Sequence, residues 1–187
     1  MGLKILTLWA VVFTWIYSTT PLAQPQEKTQ EVIDYLQGLT QTRQALASTL
    51  DSQEGEVTRE DFQRVCAPIG MSLRSWAKDK GYGAKQVSNK FRNPGNAPNR
   101  LEAKILGEFK KNRELRHKVV PSEDAQKPGS HVFVAIPVAS SCLSCHGPKN
   151  SRPAFVTQGY PEDRAFDFKV GDLRGMFSVF IPKGESP

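Results

Sequence analysis

Two thiols and an imidazole share one short stretch of this 187-residue chain, Ser141-Cys142-Leu143-Ser144-Cys145-His146-Gly147. Cys-x-x-Cys-His is the signature of covalent c-type haem attachment. A two-residue spacer on a short helical turn matches the separation of the two vinyl groups to which the thiols add. The histidine directly after the second cysteine is carried beneath the iron as an axial ligand. Three other chemistries use the same residue types. A zinc site could draw on Cys66, Cys142, Cys145 and His146, but adjacent Cys145 and His146 would strain to reach one tetrahedral ion. A thioredoxin-like redox pair needs a βαβ context, which the pattern lacks. A Cys142–Cys145 disulfide leaves His146 without a role. The single motif therefore predicts one covalent haem c, bound by Cys142, Cys145 and His146.

Haem iron has a second axial position, and its occupant sets potential and reactivity. Cys66, Met71, Met176, His117 and His131 are the candidates. Methionine is the ordinary partner of histidine in electron-carrying cytochromes, although most methionines only fill cores. A cysteine on an apolar helix face is usually a small buried hydrophobe, so Cys66 also has an ordinary explanation. His131 opens a strand and His117 ends a charged helix, which directs both towards solvent. On the residues alone, Cys66 and the two methionines stand level.

These groups must be positioned by helices first and strands later. Val32, Ile33, Leu36 and Leu39 fall at helical spacing in a helix from Gln30 to about Ser48. Thr58 caps the next helix with Asp61 three residues on, and Phe62, Val65, Cys66 and Ile69 make one apolar face. Pro68 predicts a kink beside Cys66, because it has no N–H to donate. The stretch Asn89 to Pro98 reads as a structured turn, and Asn99 with Glu102 forms a capping box for a helix carrying Leu101, Ile105 and Phe109. His131 to Val138 reads as a strand limited by Pro137, and Gly175 to Ile181 as another, with Gly147 to Asp167 a loop between them. Elements in this order predict an α+β fold with an antiparallel sheet.

Cys66-Ala67-Pro68, then Phe91-Arg92-Asn93-Pro94-Gly95-Asn96-Ala97-Pro98 with Glu102, then Cys142-Leu143-Ser144-Cys145-His146-Gly147, and finally Gly171-Asp172-Leu173-Arg174-Gly175 occur in an order that resembles a known family. It is the family of exported, single-haem c-type domains with a PAS-like fold. Its members occur as standalone cyanobacterial and bacterial proteins and as the sensor region of some membrane histidine kinases. The resemblance spans roughly Val32 to Pro182, and the Arg-Asn-Pro-x-Asn-x-Pro element is its most specific part. It implies an antiparallel sheet flanked by helices with the haem against the sheet, and axial ligation by His146 and the Cys66 sulfur. Thiolate ligation favours Fe(III) and so a low potential. Arg92 is the candidate partner of a haem propionate, since a guanidinium bonds a carboxylate in bidentate fashion, with Arg74 second. Asn93 and Asn96 are expected to brace the turn.

The N-terminus predicts the compartment. Lys4, an apolar run from Ile5 to Tyr17 and the exit to Ala23 have the form of a secretory signal. Residues 1–23 are expected to be removed near Ala23, the alternative being a retained membrane anchor. Residues 24–29 then form a flexible lead-in and 30–187 the haem domain, exported to the periplasm, or to the thylakoid lumen in a cyanobacterium. The net charge of +6 is spread among mixed-sign segments, with Lys110, Lys111 and Arg113 the one tight basic cluster. No aromatic-interleaved basic stripe points to nucleic acid, whereas a mildly basic surface suits an acidic partner. Two functions are expected: a one-electron carrier serving a redox partner, or a redox or small-ligand sensor reporting to a separate protein. Peroxidase-like catalysis needs an open iron position and a distal acid–base pair, and no distal histidine pattern is present, so no enzymatic activity is expected.

Overall fold

The computed structural model describes residues 23–184. The expected signal segment therefore lies almost wholly outside the described residues. Helix α1 runs Ala23–Ser48, so it begins before the expected Gln30 and takes in the stretch anticipated as a lead-in. Helices α2 (Arg59–Val65) and α3 (Ala67–Asp79) follow, then strand β1 (Gly83–Val87), helix α4 (Arg100–Lys111) and strands β2 (His117–Pro121) and β3 (Gly129–Pro137). The chain closes with the short helices α5 (Leu143–His146) and α6 (Ala154–Gly159) and strand β4 (Leu173–Pro182). No helix among the described residues is long and apolar enough to cross a membrane.

The four strands form one antiparallel sheet in the order β1-β4-β3-β2. Central β3 and β4 are buried on both faces, which is why their sequences read as continuous apolar runs. Val132, Val134 and Ile136 of β3, with Phe177, Val179 and Ile181 of β4, pack on Val32, Leu36, Ile69 and Leu73 of α1 and α3. The alternate residues Phe133, Ala135 and Met176 face Ile105, Leu106 and Phe109 of α4. Side chains alternate across a strand, so the sheet is covered by helices on both faces. Pro137 sits at the end of β3 beside an irregularity in register, as its missing donor requires.

Both anticipated capping boxes are present, Thr58 with Asp61 on α2 and Asn99 with Glu102 on α4. Glu102 does more than cap. Its other oxygen accepts from Ser178 Oγ of β4 at 2.9 Å, and Lys85 of β1 pairs with the capping oxygen at 2.9 Å. The carboxylate thus ties α4 to two strands.

Candidate functional site

A cavity of about 430 Å³ opens where β3 ends and β4 begins, between those strand ends and helices α1 to α3. Cys66, Cys142, Cys145 and His146 all line it. The sequence motif and the distant Cys66 are therefore brought to one place.

Each wall has a local cause. After β3, Val138 N donates to Asp172 O and Gly171 N donates to Val138 O, both at 2.9 Å, so the chain leaves the sheet at a fixed angle. A single 3-10 turn (Ser140–Cys142) then runs into α5. Helix α5 ends at Gly147, where a Cβ would stand 2.7 Å from Leu143 O. Only glycine lets the chain close on the motif so tightly. The returning segment 163–168 then covers the histidine, with Asp167 N donating to Gly147 O at 2.7 Å and Phe168 N to His146 O at 3.1 Å.

That cover settles the imidazole tautomer. His146 Nδ1 lies 2.7 Å from Ala165 O, and a carbonyl only accepts, so Nδ1 carries the proton. Arg92 Nη2 also lies 3.4 Å from Nδ1; the shorter carbonyl contact is the one that sets the proton. Nε2 is left with its lone pair and accepts from Arg174 Nε at 3.3 Å. Burial, then the neighbouring Arg174 and Arg92, hold the imidazole well below its usual range. His146 is thus a neutral donor whose second nitrogen is fixed by a backbone carbonyl, the usual arrangement around a metal-binding histidine.

Cys66 stands at the junction of two helices. It is at once the last half-turn of α2 and the first of α3, so the expected kink is a full break one residue before Ala67. Pro68 lacks the N–H that would have reached back to the preceding turn, and its ring crowds that carbonyl. Burial pushes the Cys66 thiol up, with Arg43 acting in the opposite direction. Burial likewise raises the Cys145 thiol to about 11.

The other axial candidates separate. Met176 is wholly buried against α4 on the far face of the sheet. His117 and His131 lie on β2 and β3, and neither lines the cavity. Met71 lines the cavity but is 54% exposed at its rim. Cys66 and Met71 remain.

Four guanidinium groups line the same cavity, those of Arg43, Arg74, Arg92 and Arg174. Arg92 is buried and donates Nη2 to Cys145 O at 2.8 Å and Nε to Asp163 at 3.3 Å. Asp163 also accepts from Arg152 at 3.0 Å and from Ala165 N at 3.0 Å, its carboxylate fully buried. Arg174 donates to Ser88 Oγ and Lys90 O, and burial with the neighbouring Arg92 and Arg43 lowers it to about 10. Arg43 bonds Gln86 Oε1 at 2.6 Å, and burial lowers it too. Neither Arg43 nor Arg174 has a carboxylate partner among the described residues. Arg74 lies exposed at the rim. Asn93 caps a single 3-10 turn by accepting from Gly95 N at 2.9 Å, and Asn96 O accepts from Ser88 N at 3.0 Å, so both brace the turn as expected.

Sequence reading thus missed Arg43, Arg174 and Asp163. Arg174 lay inside a motif quoted for the resemblance, but nothing in its spacing marks an inward-facing charge. Arg43 could have been suspected as a lone cation on the buried side of α1. Asp163 sits in an irregular loop and gave no signal.

The buried guanidinium groups and the size of the cavity fit an anionic group larger than a bare ion. Among the described residues no three histidine, cysteine or acidic side chains gather closely enough to hold a metal ion. A cavity of this size is of the order of small cofactor sites, roughly 300–1,000 Å³. Its buried positive charge needs a counter-anion.

Comparison with known proteins agrees. Residues 19–182 match the family model described as Tll0287-like: Tll0287. A solved structure, "Crystal structure of the cyanobacterial heme-protein Tll0287", superposes with a TM-score of 0.76 at 41% identity, covering 86% of this chain and 98% of that one. No curated protein matches.

Proposed function

Because the chain belongs to the Tll0287-like family, we propose that it is an exported haem protein carrying one haem c, bound through Cys142 and Cys145 with His146 and Cys66 as axial ligands. The observation that carries this reading is the single cavity lined by all four groups. Its sheet is read as PAS-like, with helices on both faces and the cofactor against the β3–β4 end. Similarity to a haem protein supports the cofactor; the Cys-x-x-Cys-His spacing supports covalent attachment.

Bound haem supplies a one-electron Fe(III)/Fe(II) couple. The chain's own residues do the rest. Ala165 O holds the proton on Nδ1, so Nε2 of His146 is the nitrogen that would hold the iron. Arg174 and Arg43, which have no carboxylate partner among the described residues, would then be free to pair with the propionates. Arg92, already held by Asp163 and Cys145 O, is a positioning residue for the attachment turn more than a propionate partner. This shifts the propionate role expected of Arg92 onto Arg174 and Arg43.

One-electron transfer outside the cytoplasmic membrane is the function proposed, with a potential below that of His/Met haem. A second reading, a redox or small-ligand sensor acting on a separate protein, is favoured by the helix break at Cys66. A ligand held at a junction between two helices needs little rearrangement to leave. Spectra of the reduced protein with and without CO decide between the two. A carrier keeps both ligands and gives no CO adduct; a sensor loses Cys66 and binds CO.

A further inference from the structure

A second cavity, of about 310 Å³, lies on the α4 side of the same sheet end. Buried Leu106 and Phe109 form part of its lining, and Lys90, Lys110, Arg113 and Arg116 add four cations. Two carboxylates also line it, Asp167 and Asp172, and both are already engaged within the chain. Asp172 pairs with Arg113 at 3.2 Å and accepts from Lys169 N at 2.8 Å. Asp167 accepts from Lys149 N at 2.9 Å. Lys110 and Arg116 are exposed and have no carboxylate partner among the described residues. The groove therefore presents a surplus of positive charge to solvent.

Its back wall reaches the haem site. Ser88, Pro137 and Gly175 line both cavities. Phe168 lines the groove and packs edge-on against His146, with ring centroids 6.0 Å apart and an interplanar angle of 84°. Lys90 Nζ stands 4.4 Å from the centre of the same ring. One aromatic ring separates the groove from the axial imidazole.

We infer that this groove is the docking surface for an acidic electron-transfer protein. The inference rests on the one-electron reading above and adds the partner's charge and the face it meets. Redox encounters are small, with interfaces at the low end of the size range. Complementary charge supplies their encounter rate and orientation. A cationic rim around an apolar floor, one ring from an axial ligand, meets both requirements. The mouth of the haem cavity offers a different approach, past Arg74 and Met71.

The test uses the haem-loaded protein and, as probe, an oxidised acidic [2Fe–2S] ferredoxin, with binding followed by calorimetry over a range of ionic strength. Lys110→Glu with Arg116→Glu is predicted to weaken binding about tenfold at low salt and flatten its salt dependence, with the haem spectrum unchanged. Arg74→Glu is predicted to leave binding within about twofold. Wild-type affinity in the double variant, or an equal or larger loss in Arg74→Glu, overturns the proposal. A wild-type protein that carries no haem defeats the haem reading instead, and the spectrum shows which of the two has failed.

Discussion

Asp163 ties the Arg92 turn and Arg152 to the segment that covers His146. Its fully buried carboxylate satisfies Arg92, Arg152 and the backbone of the segment covering His146. Removing one partner of a buried ion pair leaves an uncompensated charge, so Asp163→Ala should lose about 3–5 kcal/mol of stability in urea unfolding. A loss below about 1 kcal/mol contradicts the network's role. Arg174 makes a different prediction. If haem is held by His146 as proposed, the buried Arg174 cation would stabilise the reduced state, so Arg174→Gln should lower the midpoint potential by about tens of millivolts with His146 ligation retained. A raised potential contradicts the placement. At Cys66 the expectation is spectroscopic: Cys66→Ala should change the optical and EPR signatures of the oxidised protein, and an unchanged spectrum removes Cys66 as a ligand.

At the scale of elements, the short helix α2 matters because it delivers Cys66. Thr58 caps it in a capping box with Asp61, and hydrogen bonds from Gln53, then Thr58 N, hold the Asp61 carboxyl down to about 2 from an ordinary 3.8. A carboxyl depressed in the folded state stabilises fully above the unfolded value, so its contribution is lost as pH falls from about 4 to about 2. Asp61→Asn should flatten the acid-unfolding curve in that window. Thr58→Ala should cost about 1 kcal/mol, measured by urea unfolding at neutral pH. The elements also show what a sequence can reveal. β3 and β4 were legible because the two central strands are buried on both faces and read as apolar runs. β1 and β2 were missed: Gly83 to Val87 gave no strand reading, and His117 was expected to end a charged helix. Both are edge strands of five residues with partly exposed, mixed side chains, so neither has a periodic signal of its own. β1 pairs with β4, far along the chain, and β2 pairs only with β3, the strand that follows it. Helix α6 was lost for the same reason, being too short to show a period.

For the whole molecule, the fold brings the Cys-x-x-Cys-His motif and Cys66 to the lining of one cavity. Residues 43, 66, 92, 142–146 and 174 come from four helices, a turn and a strand end, and only the sheet's β3–β4 terminus gathers them. Gly175 shows how close that gathering is. A Cβ there would meet Val87 O at 2.3 Å, so Gly175→Ala should force β1 from β4 and destabilise the protein by about 1–3 kcal/mol in urea unfolding. The buried guanidinium groups could not be read from the sequence, because charge facing inward follows from the cavity and not from local spacing. Covalent attachment of haem at Cys142 and Cys145 is tested by intact-mass analysis after acidic organic extraction of protein produced with the c-type maturation machinery. Attachment there predicts a mass increase of one haem that survives extraction and disappears when both cysteines become serine. Haem that is extracted from the wild-type chain, or a mass increase that persists in the double serine variant, contradicts it.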